Sequence, residues 1–95
     1  LNYQPVYIAT YNGKIIARAQ VNGVGNHFEQ IGGVYVLPEF RNMHAGFIVM
    51  RALMQDIIAR GKKPCLYVKK TNKPALKLYT KLGFLIKEDF TIQYF

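Results

Sequence analysis

The alternation of apolar and polar residues changes period several times along this chain, and each change predicts a different element. Residues 5–11 and 14–21 are apolar-rich stretches on either side of Asn12-Gly13, the strongest short signal for a β-hairpin. Residues 22–26 are typical of a turn, and residues 28–36 form the next predicted strand. The first third of the chain is therefore expected to be a hairpin followed by a third strand.

A Gly32-Gly33 pair interrupts the middle of that third strand. Glycine inside a strand indicates a bulge, or the close approach of another backbone or a ligand. Relief of side-chain crowding is a second interpretation, and the sequence leaves both open.

From residue 46 to residue 60 the apolar residues recur at steps of three and four, which predicts an amphipathic helix with Gly61 as its C-cap. This stripe is interpreted as core and consists of Phe47, Met50, Leu53, Met54, Ile57 and Ile58. Residues 64–69 then predict a strand parallel to 28–36, because a strand, helix and strand in succession cross over right-handedly.

The last third of the chain predicts a second helix and two short strands. Thr71 or Asn72 is the candidate N-cap, and the helix is expected to end at 82–84. Residues 85–87 and 91–95 are predicted to form an antiparallel hairpin that closes the sheet. The terminal strand is expected to be exposed, so that it could pair with a second copy in a homodimer. The fold class is mixed α/β (α+β).

Composition restricts the class of protein. The chain has 95 residues, enough for one domain, and 51% of them are hydrophobic, which is typical of a globular protein. It has no apolar run near the roughly 20 residues that a membrane span needs, and no signal peptide at its start. We therefore expect a cytoplasmic protein without a membrane partner.

The sequence predicts no disulfide and no metal. Cys65 is the only cysteine, and its place in a predicted buried strand indicates a core residue. His27 and His44 lie far apart, so the spacing matches neither a zinc nor a haem site.

Thirteen Lys and Arg against five Asp and Glu give a net charge of +8, which attracts a polyphosphate ligand and nucleic acid alike. The basic residues are spread from Lys14 to Lys87 without a dense basic arm. Nucleic-acid binding would depend only on this charge and on seven tyrosines, six of which fall in predicted strands and helices where core packing accounts for them. A nucleic-acid partner is therefore not favoured.

Residues 34–46 pass from an apolar strand through a turn into the start of the first helix. The first N–H groups of a helix have no intrahelical partner and the helix dipole adds positive charge there, so such a turn binds phosphate through its backbone. Residues 71–74 open the second helix in a similar way. Two helix N-termini in one small domain indicate an elongated, phosphorylated ligand.

Two motifs carry a family resemblance. Val36 to Gly46 reads V-x-P-x-x-R-x-x-x-x-G and resembles the acyl-CoA-binding motif of the GNAT superfamily of N-acyltransferases, Gln/Arg-x-x-Gly-x-Gly/Ala. Asn72 to Phe84 reads N-x-P-A-x-x-x-Y-x-K-x-G-F and resembles the second cofactor motif of that superfamily. His44 stands where the first motif has its first glycine, and a Cβ there reduces the room beside a pyrophosphate.

The resemblance implies a GNAT-like fold, with a mixed, mostly antiparallel sheet, a central parallel strand pair and two helices. Typical members place a strand and two helices before the first hairpin, and this sequence lacks them. Residues 1–95 are therefore expected to be a single acetyl-CoA-binding domain, the C-terminal part of a longer protein.

The resemblance also implies how acetyl-CoA binds. Backbone groups of residues 34–36 would face the pantetheine, N–H groups of residues 42–47 would hold the pyrophosphate, Arg41 would pair with phosphate oxygens and Asn72 would bond the pantetheine arm. The implied cofactor-binding residues are Val34, Tyr35, Val36, Arg41, Asn42, Met43, His44, Ala45, Gly46, Phe47, Asn72 and Tyr79. Further candidates, for the adenosine phosphate, are Lys73 and Lys81.

Tyr79 is the candidate catalytic residue. In the resembled family a tyrosine at this place donates a proton to the departing CoA thiolate, and a phenol with an ordinary pKa of about 10 is protonated at neutral pH. The alternative is a half-buried structural tyrosine. The general base stays open between Glu29, His27 and water.

The resemblance thus implies an enzyme, an N-acetyltransferase that transfers the acetyl group of acetyl-CoA to a primary amine of unknown identity. The alternative is a non-catalytic GNAT-like module that binds CoA or a protein or nucleic-acid partner. His44 favours this alternative, and so does Tyr67, which stands where some family members carry a glutamate. Asn72 and Tyr79 favour the enzyme.

Overall fold

The computed structural model describes residues 3–41, 43–69, 71–86 and 91–94. In chain order these residues form β1 (Val6–Tyr11), β2 (Lys14–Val24), β3 (Phe28–Val36), a 3-10 turn (Pro38–Phe40), α1 (Ala45–Ala59), β4 (Lys63–Tyr67), α2 (Lys73–Lys81), β5 (Phe84–Ile86) and β6 (Thr91–Tyr94).

The strands form one sheet in the order β1-β2-β3-β4-β6-β5. Every neighbouring pair is antiparallel except β3 and β4, which run parallel and are joined by the crossover through α1. The first hairpin turns at Asn12 and Gly13, whose φ angles of 50° and 77° suit a two-residue type I′ loop. The predicted mixed, mostly antiparallel sheet with a central parallel pair and two helices is confirmed.

Two predictions about the strands are wrong. β2 does not end at Val21 but continues through Asn22 and Gly23, so the turn lies at 25–27. β6 lies between β4 and β5. It is therefore not an edge strand, and the predicted pairing of 91–95 with a second copy through a free edge does not apply.

The pairing of β2 with β3 contains two changes of register that cancel. Beside Gly33, which has a φ of 58°, β3 carries one residue more than β2. Next along the ladder β2 carries one extra residue, Asn22, opposite the step from Gln30 to Ile31. The bulge predicted at the glycine pair is confirmed, and it has a counterpart on the neighbouring strand.

α1 packs on one face of the sheet, where it contacts β1, β2, β3 and β4. The buried hydrophobic residues are Ile16, Ala17, Ala19, Val21, Ile31, Ala45, Val49, Met50, Leu53, Met54, Ile57, Leu66 and Phe84. Two members of the predicted stripe are not core residues, because Phe47 is only half-buried and Ile58 is 43% exposed. Gly61 follows α1 with a φ of 79°, as predicted for its cap.

Cys65 is only partly buried, which corrects its assignment to the core. It lies between the buried Pro64 and Leu66 and so faces the opposite side of the sheet from α1. Among the described residues, no group of His, Cys, Asp and Glu could hold a metal ion, and neither helix is long and apolar enough to cross a membrane.

Candidate functional site

A cleft of about 700 Å³ lies between the end of β3, the start of α1 and one side of α2. Its walls are formed by Val34, Tyr35, Val36, Arg41, His44, Gly46, Phe47, Asn72, Pro74, Ala75, Lys77, Leu78, Tyr79 and Lys81. The two sequence motifs are separated by most of α1 and by β4, and the fold brings both to this one cleft.

β3 separates from β4 at the cleft. The two strands pair only over residues 28–30, opposite residues 63–65. From residue 31 to residue 36, β3 keeps its pairing with β2 but has none with β4 among the described residues. The backbone N–H and C=O groups along this edge are therefore available to an extended ligand that has amide groups of its own.

The start of α1 supplies free N–H groups. The first intrahelical bond runs from the Ile48 N–H to the His44 carbonyl at 3.0 Å, and the N–H groups of Ala45, Gly46 and Phe47 have no acceptor among the described residues. Because α1 is 15 residues long, its dipole adds partial positive charge at this end. Together the N–H groups and the dipole form an anion site made of backbone.

Gly46 and His44 shape this backbone. A Cβ on Gly46 would lie 3.2 Å from Cγ2 of Val36, so glycine lets α1 approach the end of β3 closely. His44 is the N-cap with a φ of 60°, in the left-handed region that favours glycine, and its side chain makes no capping hydrogen bond. His44 is one of the residues that line the cleft.

Arg41 is held at the mouth of the cleft by the strand that precedes it. Its Nε donates to the carbonyl oxygen of Val36 at 3.2 Å. No carboxylate in the described part of the chain forms an ion pair with it, so both terminal NH₂ groups of the guanidinium are available to an anion.

The start of α2 differs from the start of α1. Asn72 is the N-cap, and its Oδ1 accepts from the Ala75 N–H at 3.3 Å. The Lys73 N–H donates to the Thr71 carbonyl at 3.0 Å, and Pro74 has no N–H. Among the described residues this helix therefore offers no free N–H to a phosphate, and the prediction of two phosphate-binding helix N-termini is wrong for α2. The Nδ2 of Asn72 stays available to a ligand.

The cleft is lined by positive charge. Arg41, Lys77 and Lys81 are among its lining residues, and none of the lining residues that the structure describes is acidic. The sequence reasoning missed Lys77, although it is four residues before Lys81, which places both on one side of α2. Such a surface favours a ligand with several negative charges.

Tyr79 lies in the wall of the cleft and is half-buried. Its ring packs edge-on against Phe84, with 5.9 Å between the ring centroids and an interplanar angle of 64°. Burial raises the pKa of the Tyr79 hydroxyl above its ordinary value of 10.0. The hydroxyl is therefore a proton donor at neutral pH.

Nine of the twelve residues that the sequence proposed for the cofactor line this cleft, namely Val34, Tyr35, Val36, Arg41, His44, Gly46, Phe47, Asn72 and Tyr79. Ala45 is 3% exposed, so only its N–H is suited to a contact. Met43 has an exposed side chain outside the cleft, and its N–H already donates to the Phe40 carbonyl at 3.2 Å. Asn42 lies outside the described residues. Lys73 does not line the cleft.

Neither candidate base faces the cleft. Glu29 is 1% exposed on the α1 side of β3, where Arg60 donates two hydrogen bonds to it and the Nζ of Lys62 lies 3.4 Å away. The hydrogen bonds from Arg60 lower the pKa of Glu29 against the opposing effect of burial. This carboxylate is ionised and fully engaged, so the structure overturns it as a base. His27 lies in the turn before β3, away from the cleft.

Comparisons with known proteins agree with this architecture. A family model described as FR47-like protein matches residues 14–91. No curated protein matches the chain. The PaiA N-acetyltransferase from Thermoplasma acidophilum, in complex with coenzyme A, is 19% identical with a TM-score of 0.85, over 96% of this chain and 60% of that chain.

Two further solved structures are similar. The ribosomal-protein-S18-alanine N-acetyltransferase from Escherichia coli is 22% identical with a TM-score of 0.80, over 95% of this chain and 65% of that one. A GNAT family acetyltransferase from Elizabethkingia anophelis with acetyl-CoA bound is 23% identical with a TM-score of 0.80, over 87% of this chain and 55% of that one. At these identities the likeness shows the fold alone, and the chain spans less than two thirds of the length of each of the three structures.

Proposed function

The chain belongs to the FR47-like family, and from that premise we propose that it binds acetyl-CoA in the cleft and transfers the acetyl group to a primary amine. The predicted GNAT-like fold is confirmed, because the family model matches most of the chain and the solved structures of similar fold include GNAT family acetyltransferases.

The observation that carries the proposal is the chemistry of the cleft walls. One wall is the edge of β3, which has no strand partner there among the described residues. At one end lie the N–H groups at the start of α1, which have no acceptor among the described residues. The charged side chains of the wall are Arg41, Lys77 and Lys81, and no described lining residue is a carboxylate. Acetyl-CoA matches each of these features, since it joins an arm with two amide groups to a pyrophosphate and a further phosphate.

This match gives acetyl-CoA a direction in the cleft. The pyrophosphate would accept hydrogen bonds from the N–H groups at the start of α1 and from Arg41, and the arm would pair with the edge of β3 from Val36 towards Gly32. The Nδ2 of Asn72 would donate to a carbonyl of the arm. The thioester would then lie near the point where β3 and β4 come together, between Gln30 and Cys65.

The transfer would use the edge of β3 and Tyr79, which lies in the wall of the same cleft. The lone pair of a neutral amine attacks the acetyl carbonyl, a C–N bond forms, and strand N–H groups stabilise the oxyanion. The C–S bond breaks, the electron pair stays on sulfur, and the Tyr79 hydroxyl protonates the thiolate. The amine passes its proton to water, because neither Glu29 nor His27 lies in the cleft. Tyr79 recovers a proton from water.

Titration calorimetry with acetyl-CoA tests the binding step. We expect a micromolar Kd that weakens about fivefold in Lys77→Ala and in Lys81→Ala, because each removes one charge facing the phosphates. Lys73→Ala is the matched control, since it removes the same charge from the same helix at a position outside the cleft. Absence of binding in the wild type, or equal weakening in all three variants, would overturn the proposed site. Release of CoA from acetyl-CoA in the presence of an amine tests the transfer itself.

A further inference from the structure

Three amide side chains gather on the face of the sheet opposite α1. Gln20 and Asn22 lie on β2, where the Nε2 of Gln20 donates to the Oδ1 of Asn22 at 2.7 Å. Gln30 lies on β3 between Glu29 and Ile31, which are both buried on the α1 side, so its side chain faces the same way as the other two. We refer to Gln20, Asn22 and Gln30 as the amide cluster.

Glycines on both strands make room for the amide cluster. A Cβ on Gly32 would overlap the amide of Asn22, and a Cβ on Gly33 would lie 3.0 Å from the Cδ of Gln20. A Cβ on Gly23 would lie 3.3 Å from the Oε1 of Gln30. The three side chains therefore lie flat across the backbone of the neighbouring strand instead of standing upright from the sheet.

The amide cluster borders the cleft. Gln30 is the last residue of β3 that pairs with β4, and Gly33 immediately precedes Val34 in the cleft wall. At about 3.3 Å per residue, Gly32 is roughly 7 Å from Val34 along the strand. An acyl group that follows the edge of β3 from the start of α1 would reach this end of the cleft next to the amide cluster.

The amide cluster retains hydrogen-bonding capacity. Within the described residues, no partner is seen for the Nδ2 of Asn22, the Oε1 of Gln20 or the side-chain amide of Gln30. Each amide offers donors and acceptors but no charge. The nearest charged group on this face of β2 is Arg18, two residues before Gln20 and exposed, and it repels a polycation.

We propose that the amide cluster binds the acceptor, and that the acceptor is a primary amine with a neutral amide next to it, the chemistry of a peptide N-terminus. The N–H and carbonyl of a peptide group match the acceptors and donors that Gln20, Asn22 and Gln30 leave free. A polyamine lacks such a group and would need carboxylates, which the amide cluster does not contain. The inference rests on the proposed function, since it assigns the second substrate of the same cleft.

The test uses alanyl-alanine amide as the probe and isobutylamine as an amine without the neighbouring amide. Both are titrated into the ¹⁵N-labelled full chain saturated with CoA, and the side-chain NH₂ signals of the amide cluster are followed by NMR. The peptide amide is expected to shift these signals and to bind about tenfold more weakly to Asn22→Ala and to Gln30→Ala, the loss typical of one hydrogen bond. Asn26→Ala, which changes an exposed asparagine in the turn between β2 and β3, is the matched control and should bind as the wild type does.

Asn22→Asp distinguishes recognition from folding. It keeps the size of the side chain and replaces a donor by a negative charge, so it should weaken the peptide amide and strengthen the binding of spermidine. A merely structural role for Asn22 would leave that preference unchanged. Peptide-amide binding that is equal in all variants, or shifts confined to other residues, would overturn the inference while CoA binding stands. Failure of CoA to bind the wild type would overturn the proposed function instead. In that case, the NMR shifts caused by the peptide amide without CoA would still decide the role of the amide cluster.

Discussion

Arg60, the residue that ends α1, donates hydrogen bonds from both of its terminal nitrogens to the carboxylate of Glu29 on β3. Its Nε donates to Asp56 at 2.7 Å, and Tyr7 donates to the other oxygen of Asp56 at the same distance. This network ties the C-terminal end of α1 to β1 and β3, at the opposite end of α1 from the cleft. The two ends of one helix thus serve the core and the ligand separately.

The network predicts acid sensitivity. The hydrogen bonds from Arg60 lower the pKa of Glu29 below its ordinary value of 4.5, so its contribution to the free energy of unfolding is present above that value and is lost as the pH falls through the lower, folded pKa. Glu29→Gln is expected to cost about 3 kcal/mol at pH 7 and to make stability less dependent on pH in the acid range. Urea unfolding at a series of pH values measures both effects.

Glu39→Gln is the control for that prediction. Glu39 has a side chain that is 63% exposed and lies 3.9 Å from Lys14, so its removal should change stability by less than about 0.5 kcal/mol. If Glu29→Gln behaved like Glu39→Gln, the Arg60 pair would not stabilise the fold.

Tyr79→Phe separates the hydroxyl from the ring. The ring contact with Phe84 is kept, so stability should stay unchanged, while kcat should fall about a hundredfold because the thiolate loses its acid. The KM for acetyl-CoA should change little. Since burial raises the pKa of Tyr79 above 10.0, the wild type should show no loss of rate from this group as the pH rises from 7 to 9. Tyr11→Phe, on an exposed tyrosine of the first hairpin, should leave kcat unaltered.

His44→Gly tests the departure from the glycine pattern. At a φ of 60° glycine relieves a strain of about 1 kcal/mol, and its greater freedom in the unfolded chain offsets most of this, so stability should barely change. Acetyl-CoA should bind roughly fivefold more tightly, because removal of the imidazole opens the wall beside the free N–H groups of α1. Weaker binding in calorimetry would instead mean that His44 contacts the ligand. Asn12→Gly is the control, because Asn12 also has a positive φ, of 50°, but lies outside the cleft. It measures the effect of glycine on stability without a change in the cleft.

Asn72 has two roles that substitutions can separate. Asn72→Ala loses the cap on Ala75, worth about 1 kcal/mol, together with the amide that would reach the ligand. Asn72→Ser keeps a capping oxygen and loses only the amide. Thermal unfolding should therefore distinguish the two variants, whereas acetyl-CoA affinity should fall in both. An unchanged affinity for Asn72→Ser would remove Asn72 from the proposed site.

Local signals predicted most elements of the fold. Asn12-Gly13 specified the hairpin because both of its residues accept positive φ, and the spacing between Met50 and Ile57 specified the buried side of α1. The same kind of signal failed at Asn22-Gly23, where turn-forming residues lie inside a strand, because pairing with β3 absorbs Asn22 as a bulge.

Two further errors concern partners that are distant in sequence. Glu29, a candidate base from the sequence, is buried away from the cleft, and its burial depends on Arg60, 31 residues later, which supplies the compensating charge. β6 lies between β4 and β5, and this strand order depends on pairing with both neighbours, so no residue of 91–94 specifies it alone. In the cleft, the motifs identified the end of β3 and the start of α1, whereas Lys77 became a candidate only once the face of α2 was known.

The paired bulges of β2 and β3 restrict how this chain can gain or lose residues. Deletion of Asn22 alone would leave the surplus residue beside Gly33 uncompensated and would turn the side chains beyond it to the wrong face of the sheet. Removal of one residue at each bulge would restore a regular ladder. Single-residue insertions and deletions in this hairpin are therefore expected to be tolerated in relatives as matched pairs and rejected one at a time.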